Sequence, residues 1–373
     1  MPGTENYKSI TIVGVGLIGG SFAMALRKSG FEGRICGVSR PEPLEEAIGK
    51  GLIDEGFDYK LLGEAVSGSQ LVVLATPISR IIELIAELGD VGDALAPGTV
   101  ITDVGSTKDE IMQAAASSLP DTVHFIGGHP LAGSEERGVQ ASDPLLFENA
   151  LYVLTPAEGA EDSPEVRQLG DFISLTGARV MVLTPGKHDL IAAAISHLPQ
   201  ILAVELVNSL ADLGDDSEKA VHLAAGGFRD MTRIASSPFS IWKDILSSNS
   251  AEIRNLLENF NRRLSDLLDN FDVTSLEENF NQAREVRSAL PRDTKGFLTR
   301  LWDLRVVVED RPGMIADISG HLHSKGLNIK DMSVVKVREG ETGSVRIAFG
   351  TREQALEALA ELEKAGYQAR LRE

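Results

Sequence analysis

Ser9-Ile10-Thr11-Ile12-Val13-Gly14-Val15-Gly16-Leu17-Ile18-Gly19 joins a β-branched run to the start of a helix through a turn carrying three glycines. Glycines at these offsets permit a tight turn and let the backbone approach a pyrophosphate, whose charge meets the orphan N–H groups of the helix start. The bare spacing says little; the strand before it and the helix after it, running to a capping Gly30, give it weight over a merely structural turn. Gly14, Gly16, Leu17, Ile18 and Gly19 are therefore expected to hold a dinucleotide.

Outward from this turn the rhythm repeats. Arg34–Val38, Leu71–Ala75, Val100–Val104, Val123–Ile126, Ala150–Leu154 and Arg179–Val182 read as short strands alternating with helices, which predicts βαβ units and a largely parallel sheet over residues 1–185. Residues 186–295 read as helical, and Leu257, Phe260, Leu264, Leu267 or Leu268, and Phe271 mark one apolar helix face. That face exceeds what one small helical block can cover, which predicts a homodimer. Residues 300–373 read βαββαβ, a ferredoxin-like order, with Pro291 and Arg292 to Lys295 as the linker. The fold class expected is α/β: a Rossmann-like domain, an all-helical domain and a ferredoxin-like domain.

Composition sets limits. The chain has 373 residues, 43% hydrophobic and 24% charged, so two or three globular domains are expected. A net charge of −19 argues against nucleic-acid binding, and a single cysteine, Cys36, against a disulfide framework or a Cys-rich zinc site. No signal core is visible, and the apolar stretch 191–207 is interrupted by His197, Pro199 and Glu205, so no membrane partner and a cytoplasmic location are expected. No metal is called for.

At the end of the second strand, Ser39 and Arg40 stand where an NAD site presents an acid to the ribose. A hydroxyl and a guanidinium suit a 2′-phosphate, so NADP is favoured over NAD, although Arg40 could instead stack on adenine or face water, and Glu42 is an ill-placed substitute. Thr76, Pro77, Asp103 and Ser106 follow strand ends, where ligands of open sheets bind. His129, between glycines and Pro130, is placed as a general base. His197 interrupts an apolar helix; its alternative is a hydrogen-bonded core histidine. Arg229 and Arg233, four apart after Gly226-Gly227, would share a helix face and could receive carboxylates, or be a solvated face. Trp242 lines the same pocket or fills core.

Gly14-x-Gly-x-x-Gly19, Asp103-Val-Gly-Ser-Thr-Lys108, Gly127-Gly-His-Pro-Leu-Ala-Gly-Ser-Glu135, Ser196-His-Leu-Pro199 and Gly226-Gly-Phe-Arg-Asp-Met-Thr-Arg233 occur in the order seen in prephenate dehydrogenases, which residues 8–295 resemble. The resemblance implies oxidative decarboxylation of prephenate to 4-hydroxyphenylpyruvate, on the way to tyrosine. His129 would take the ring hydroxyl's proton as hydride leaves for the nicotinamide, with Ser106 helping to hold that hydroxyl. Arg233 would pair with the departing carboxylate, while Ser196, His197, Glu135 and Asp230 would shape the pocket. Gln200 stands where many relatives carry a second histidine, which loosens the choice between prephenate and arogenate.

The C-terminal block resembles an ACT domain, which implies an amino-acid effector, with tyrosine as the natural one. Asp310, Gly313, Met314, Asn328 and Ile329 would contact it, unless the module only dimerises. Two other readings compete. A hydroxyacid dehydrogenase with an ACT domain would insert its nucleotide domain within another, whereas here it begins at residue 8. A non-catalytic nucleotide or amino-acid sensor would tolerate loss of His129.

Overall fold

A computed structural model describes residues 7–133, 136–289, 301–309, 311–336 and 342–372. The expected linker at 291–295 lies outside them. Contacts divide the chain into two units, Met1–Asp269 and Asn270–Glu373.

The first unit is built on an eight-stranded sheet: β1 (Ser9–Val13), β2 (Arg34–Val38), β3 (Glu55–Phe57), β4 (Leu71–Leu74), β5 (Val100–Asp103), β6 (His124–Pro130), β7 (Leu151–Thr155) and β8 (Arg179–Val182). Its order is β3-β2-β1-β4-β5-β6-β7-β8. The crossover from β1 to β4 opens the crevice at which dinucleotides bind in such sheets. Strands β1 and β4 are buried on both faces, as parallel strands covered by helices must be. Helices Leu17–Lys28 and Pro164–Ser174 cover one face through Phe22, Leu26, Leu169 and Phe172. Helices Ile78–Asp90 and Asp109–Ser118 cover the other through Ile81, Leu84, Ile85 and Ile111. β3 escaped the sequence reading because three residues with a central glycine carry no hydrophobic run.

β6 changes partner along its length. His124 to Ile126 pair in parallel with β5, and Gly127 to Pro130 pair antiparallel with β7. The strand expected to stop at Ile126 therefore runs on, and His129 stands on it beyond the C-terminal end of β5 rather than on a loop.

The helical run that follows is not broken where expected. Pro185–Ala192 passes into a π-helical turn, Ala193–His197, and on into helix Leu198–Asn208. The Leu198 N–H reaches back five residues to the Ala193 carbonyl. A widened turn at this point spares a backbone that Pro199, without an N–H, would otherwise disrupt. By length and composition the whole run Pro185–Leu223 could cross a membrane, with a mean hydropathy of 1.8 in its most apolar stretch. It nevertheless carries His188, Asp189, His197 and Gln200, all buried. Helix Phe239–Ser248 keys into the sheet layer through Ile245, and the Ser79 hydroxyl donates to Asp244 Oδ2 at 2.8 Å. The predicted apolar helix face is open only in part: Leu264 and Leu268 are exposed, Leu268 by 75%, Leu257, Phe260 and Leu267 are half-buried, and Phe271 falls beyond the helix end at Asp269.

The second unit contains the antiparallel sheet β10-β11-β9-β12, formed by β9 (Trp302–Glu309), β10 (Asp331–Lys336), β11 (Thr342–Phe349) and β12 (Ala369–Arg372). Helices Met314–Ser324 and Arg352–Lys364 pack on it through Ile318, Leu322, Ala358 and Leu362. This is the expected ferredoxin-like order.

Candidate active site

The glycine turn explains two of its glycines from within. Gly14 has φ +101°, and a Cβ there would stand 2.4 Å from the Ala75 carbonyl oxygen. One at Gly19 would stand 2.2 Å from the Gly14 oxygen. A Cβ on Gly16 would meet nothing within 4 Å, so no group among the described residues needs that position to be glycine. Helix Leu17–Lys28 starts there with no side-chain cap and no acid in its first turn. Beside it the buried Thr76 hydroxyl has no hydrogen-bond partner among the described residues. Open space at the start of an uncapped helix fits the pyrophosphate of a dinucleotide. Leu17 and Ile18 are half-buried, Pro77 is exposed, Ser39 is buried and Arg40 is exposed. Burial pushes the Tyr59 phenol up, opposed by a hydrogen bond from Ser39 and by the charges of Arg80 and Arg40.

Asp103 corrects the expectation. Its carboxylate is fully buried and accepts from the Gly105 N–H (2.7 Å), the Gly128 N–H (3.0 Å) and the Lys108 ammonium, so it braces the protein and is not free for a cofactor. Lys108 also donates to the Gly128 carbonyl at 2.7 Å, locking the residue before His129.

Half-buried His129 heads a chain of buried polar groups that the sequence pattern does not reveal. Its Nδ1 lies 2.8 Å from His188 Nε2, and His188 Nδ1 lies 2.7 Å from Asp189 Oδ1. Asp189 also accepts the backbone N–H groups of Lys108 (2.8 Å) and Asp109 (2.9 Å). Asn249 donates to the Asp189 carbonyl at 2.9 Å and lies 3.2 Å from His197 Nδ1, and Trp242 meets the His197 ring edge-on. Burial first, then the charges of His188, Lys108 and His197, hold His129 well below the usual imidazole range. Burial pushes His197 down to about 4, against the pull of Asp189. Both rings are thus neutral near pH 7, a state suited to a base and to a hydrogen-bond donor respectively. The only sequence trace of this chain was the adjacent His188-Asp189 pair near the start of the helical run.

Other expected residues are less assembled. Ser106, half-buried, stands on the loop after β5, neighbour of β6. Gln200 is buried and its amide donates to the Ile234 carbonyl at 3.0 Å, which ties helix Leu198–Asn208 to the turn bearing Arg233. Arg229 and Arg233 do not share one helix: Gly226–Thr232 ends before the 3-10 turn Arg233–Ser236. Arg229 folds back to the Ala224 carbonyl (2.9 Å) and serves its own segment, and Gly226 and Gly227 open the helix instead of preceding it. Arg233, Asp230 and Ser196 are exposed. Glu135 lies outside the described residues, as does Asp310.

In the second unit a cavity of 620 Å³ is lined by Val308, Arg311, Gly313, Met314, Ser319 and Val345, among others. Gly313, at φ +88°, starts the helix there. Asn328 and Ile329 do not line it.

Comparison with known proteins bears on both units. Residues 22–182 match the family profile described as prephenate dehydrogenase, nucleotide-binding domain, residues 184–282 the prephenate dehydrogenase dimerization domain, and residues 302–366 the ACT domain. The prephenate dehydrogenase of Bacillus subtilis (strain 168) is 36% identical over 365 residues, 95% of this chain and 97% of that protein. The crystal structure of prephenate dehydrogenase from A. aeolicus in complex with hydroxyphenyl propionate and NAD+ superposes with a TM-score of 0.66 at 31% identity, covering 75% of this chain and 96% of that one. The Synechocystis arogenate dehydrogenase structure gives a TM-score of 0.66 at 31% identity, covering 75% and 99%.

Proposed function

The chain belongs to the prephenate dehydrogenase family, and from that premise we propose that it oxidatively decarboxylates prephenate to 4-hydroxyphenylpyruvate. The observation that carries the reading is His129, pinned through Nδ1 at the C-terminal edge of a dinucleotide-type sheet, its Nε2 without a partner among the described residues and so placed to meet a substrate. A bound nicotinamide supplies the hydride acceptor. His129 Nε2 accepts the proton of the ring 4-hydroxyl as hydride leaves C4; the ring carboxylate departs as CO2, its electron pair completes the aromatic ring, and the proton returns to the phenolate oxygen. Ser106 holds the hydroxyl, Arg233 receives the departing carboxylate, and His197, with Nδ1 turned to Asn249, offers its other nitrogen as a donor. Ser196, Glu135, Asp230 and Gln200 shape the pocket.

Gly14, Gly16, Leu17, Ile18, Gly19, Thr76 and Pro77 hold the dinucleotide. Ser39 and Arg40 favour NADP over NAD, because no acid stands at the end of β2. The division 1–185, 186–295 and 300–373 assigns binding, pairing and regulation in that order, in a cytoplasmic homodimer. Tyrosine occupies the cavity at Gly313 and Met314 and feeds back on the rate.

Initial rates with NAD and NADP, each against prephenate and arogenate, test the reading: prephenate with NADP is expected to give the highest kcat/KM. His129→Asn is expected to lose about 10²- to 10⁴-fold in kcat. Unchanged oxidation in that variant would remove the mechanism, and arogenate as the faster substrate would replace it with direct formation of tyrosine.

A further inference from the structure

The Asp189 carboxylate faces three donors: the N–H groups of Lys108 and Asp109 and Nδ1 of His188, all within 2.9 Å. Asp189 and His188 are buried, at 2% and 3% exposure. A carboxylate so surrounded is ionised and accepts from every side, so His188 must carry a proton on Nδ1. A neutral imidazole has one N–H, which leaves a lone pair on His188 Nε2. That lone pair faces His129 Nδ1 at 2.8 Å, and a hydrogen bond between them requires the proton on His129. The single proton of neutral His129 then sits on Nδ1, and its Nε2 is bare. A doubly protonated His188 would reverse the last bond and put the proton on His129 Nε2, where it would block proton abstraction. That state would bury a further charge on a ring only 3% exposed, whose partner Asp189 already accepts two backbone N–H groups, while Lys108 is taken up by Asp103.

We propose that His188 and Asp189 are positioning residues that fix the base tautomer of His129 and balance the charge it gains. The proposal rests on the reading of His129 as the base. When Nε2 takes the substrate's proton, the resulting imidazolium strengthens its Nδ1–H bond to His188, and Asp189 provides the opposite charge one ring away. No proton has to cross the chain: the one acquired on Nε2 returns to the phenolate oxygen. The arrangement works against the tautomer preference of free imidazole, which favours N–H at Nε2, so the tautomer itself is a signature that a merely structural role would not produce.

The test uses the full-length protein labelled with ¹⁵N-histidine. Long-range ¹H–¹⁵N correlation at pH 8 reads each ring's tautomer, and His129→Asn identifies the His129 signals. The wild type is expected to show His129 with its proton on Nδ1. His188→Leu is expected to move it to Nε2 and to lower kcat by about 10²- to 10³-fold with KM little changed. His188→Gln, whose carbonyl can still accept from Nδ1–H, is expected to recover about tenfold or more of that loss. If the Leu variant does not fold, the wild-type spectrum and the Gln variant decide. An Nε2–H tautomer in the wild type, or a Leu variant with unchanged tautomer and kcat, overturns the positioning role while loss of activity in His129→Asn upholds the base. Retained turnover in His129→Asn overturns the base reading, and the positioning role with it.

Discussion

His129 and His197 are both held below the ordinary imidazole range, and each makes a pH prediction of definite sign. A base works only when unprotonated, so a lowered pKa moves the acid limb of kcat/KM to below pH 6.5 and leaves the rate flat from there to neutrality. A limb at or above 6.5 would show that another group titrates. Stability also falls in acid, but it starts to fall at a higher pH. With His197 at about 4 when folded and near 6.5 when unfolded, the unfolded chain binds protons first as the pH falls. Stability is therefore full above 6.5 and is lost between 6.5 and about 4, by up to about 1.4 kcal/mol per pH unit. Urea midpoints across that window check this, and His197→Asn is expected to flatten the slope. Of these residues, His129 was legible because glycines and a proline frame it at a strand end, and His197 because it breaks an apolar pattern. His188 gave little signal: its partner in space is 59 residues away, a distance that only the sheet and the helical run close. Asp103 misled for a related reason, since a carboxylate at a strand's end looks the same in sequence whether it meets a ligand or a buried lysine.

Among the elements, the glycine turn offers the sharpest contrast between folding and binding. Gly14→Ala is expected to destabilise by about 1–3 kcal/mol, because φ +101° and the Ala75 carbonyl at 2.4 Å leave no room for a methyl group. Gly16→Ala has open space and is expected to leave the unfolding midpoint nearly unchanged while raising the KM for the dinucleotide. Equal stability losses in the two variants would remove Gly16 from the binding site. The main strands were readable from their β-branched runs, and the ferredoxin-like order was readable throughout because its elements alternate cleanly. Two departures have physical causes. β6 extends past its expected end because Gly127 lets it pass close to Thr155, and Gly128 close to Asp103 and Tyr152, so that it joins β7. The helix survives Pro199 because a π turn precedes it, a device that propensity alone cannot foresee.

For the whole molecule, the uncovered apolar residues of the helical run and of helix Ser250–Asp269 are the outstanding feature. Ile195, Val221, Leu223 and Leu268 expose 61–81% of their surfaces in a single chain. Covering them with a second copy predicts that sedimentation at micromolar concentration will find dimer with little monomer, and that Leu268→Glu will shift the equilibrium towards monomer. A monodisperse monomer of full activity would contradict it. The net charge and hydrophobic content pointed to a soluble globular chain, but they could not say how much of its surface is finished by another molecule. If two chains complete each other in this way, functional enzyme accumulates in proportion to encounters between newly made chains, not simply to their number. A copy crippled at His129 would still fold, still find a twin, and draw sound chains into hybrids with half their working sites. Co-expressing it with the intact chain would therefore dilute the sound chains among hybrid pairs without preventing any of them from assembling.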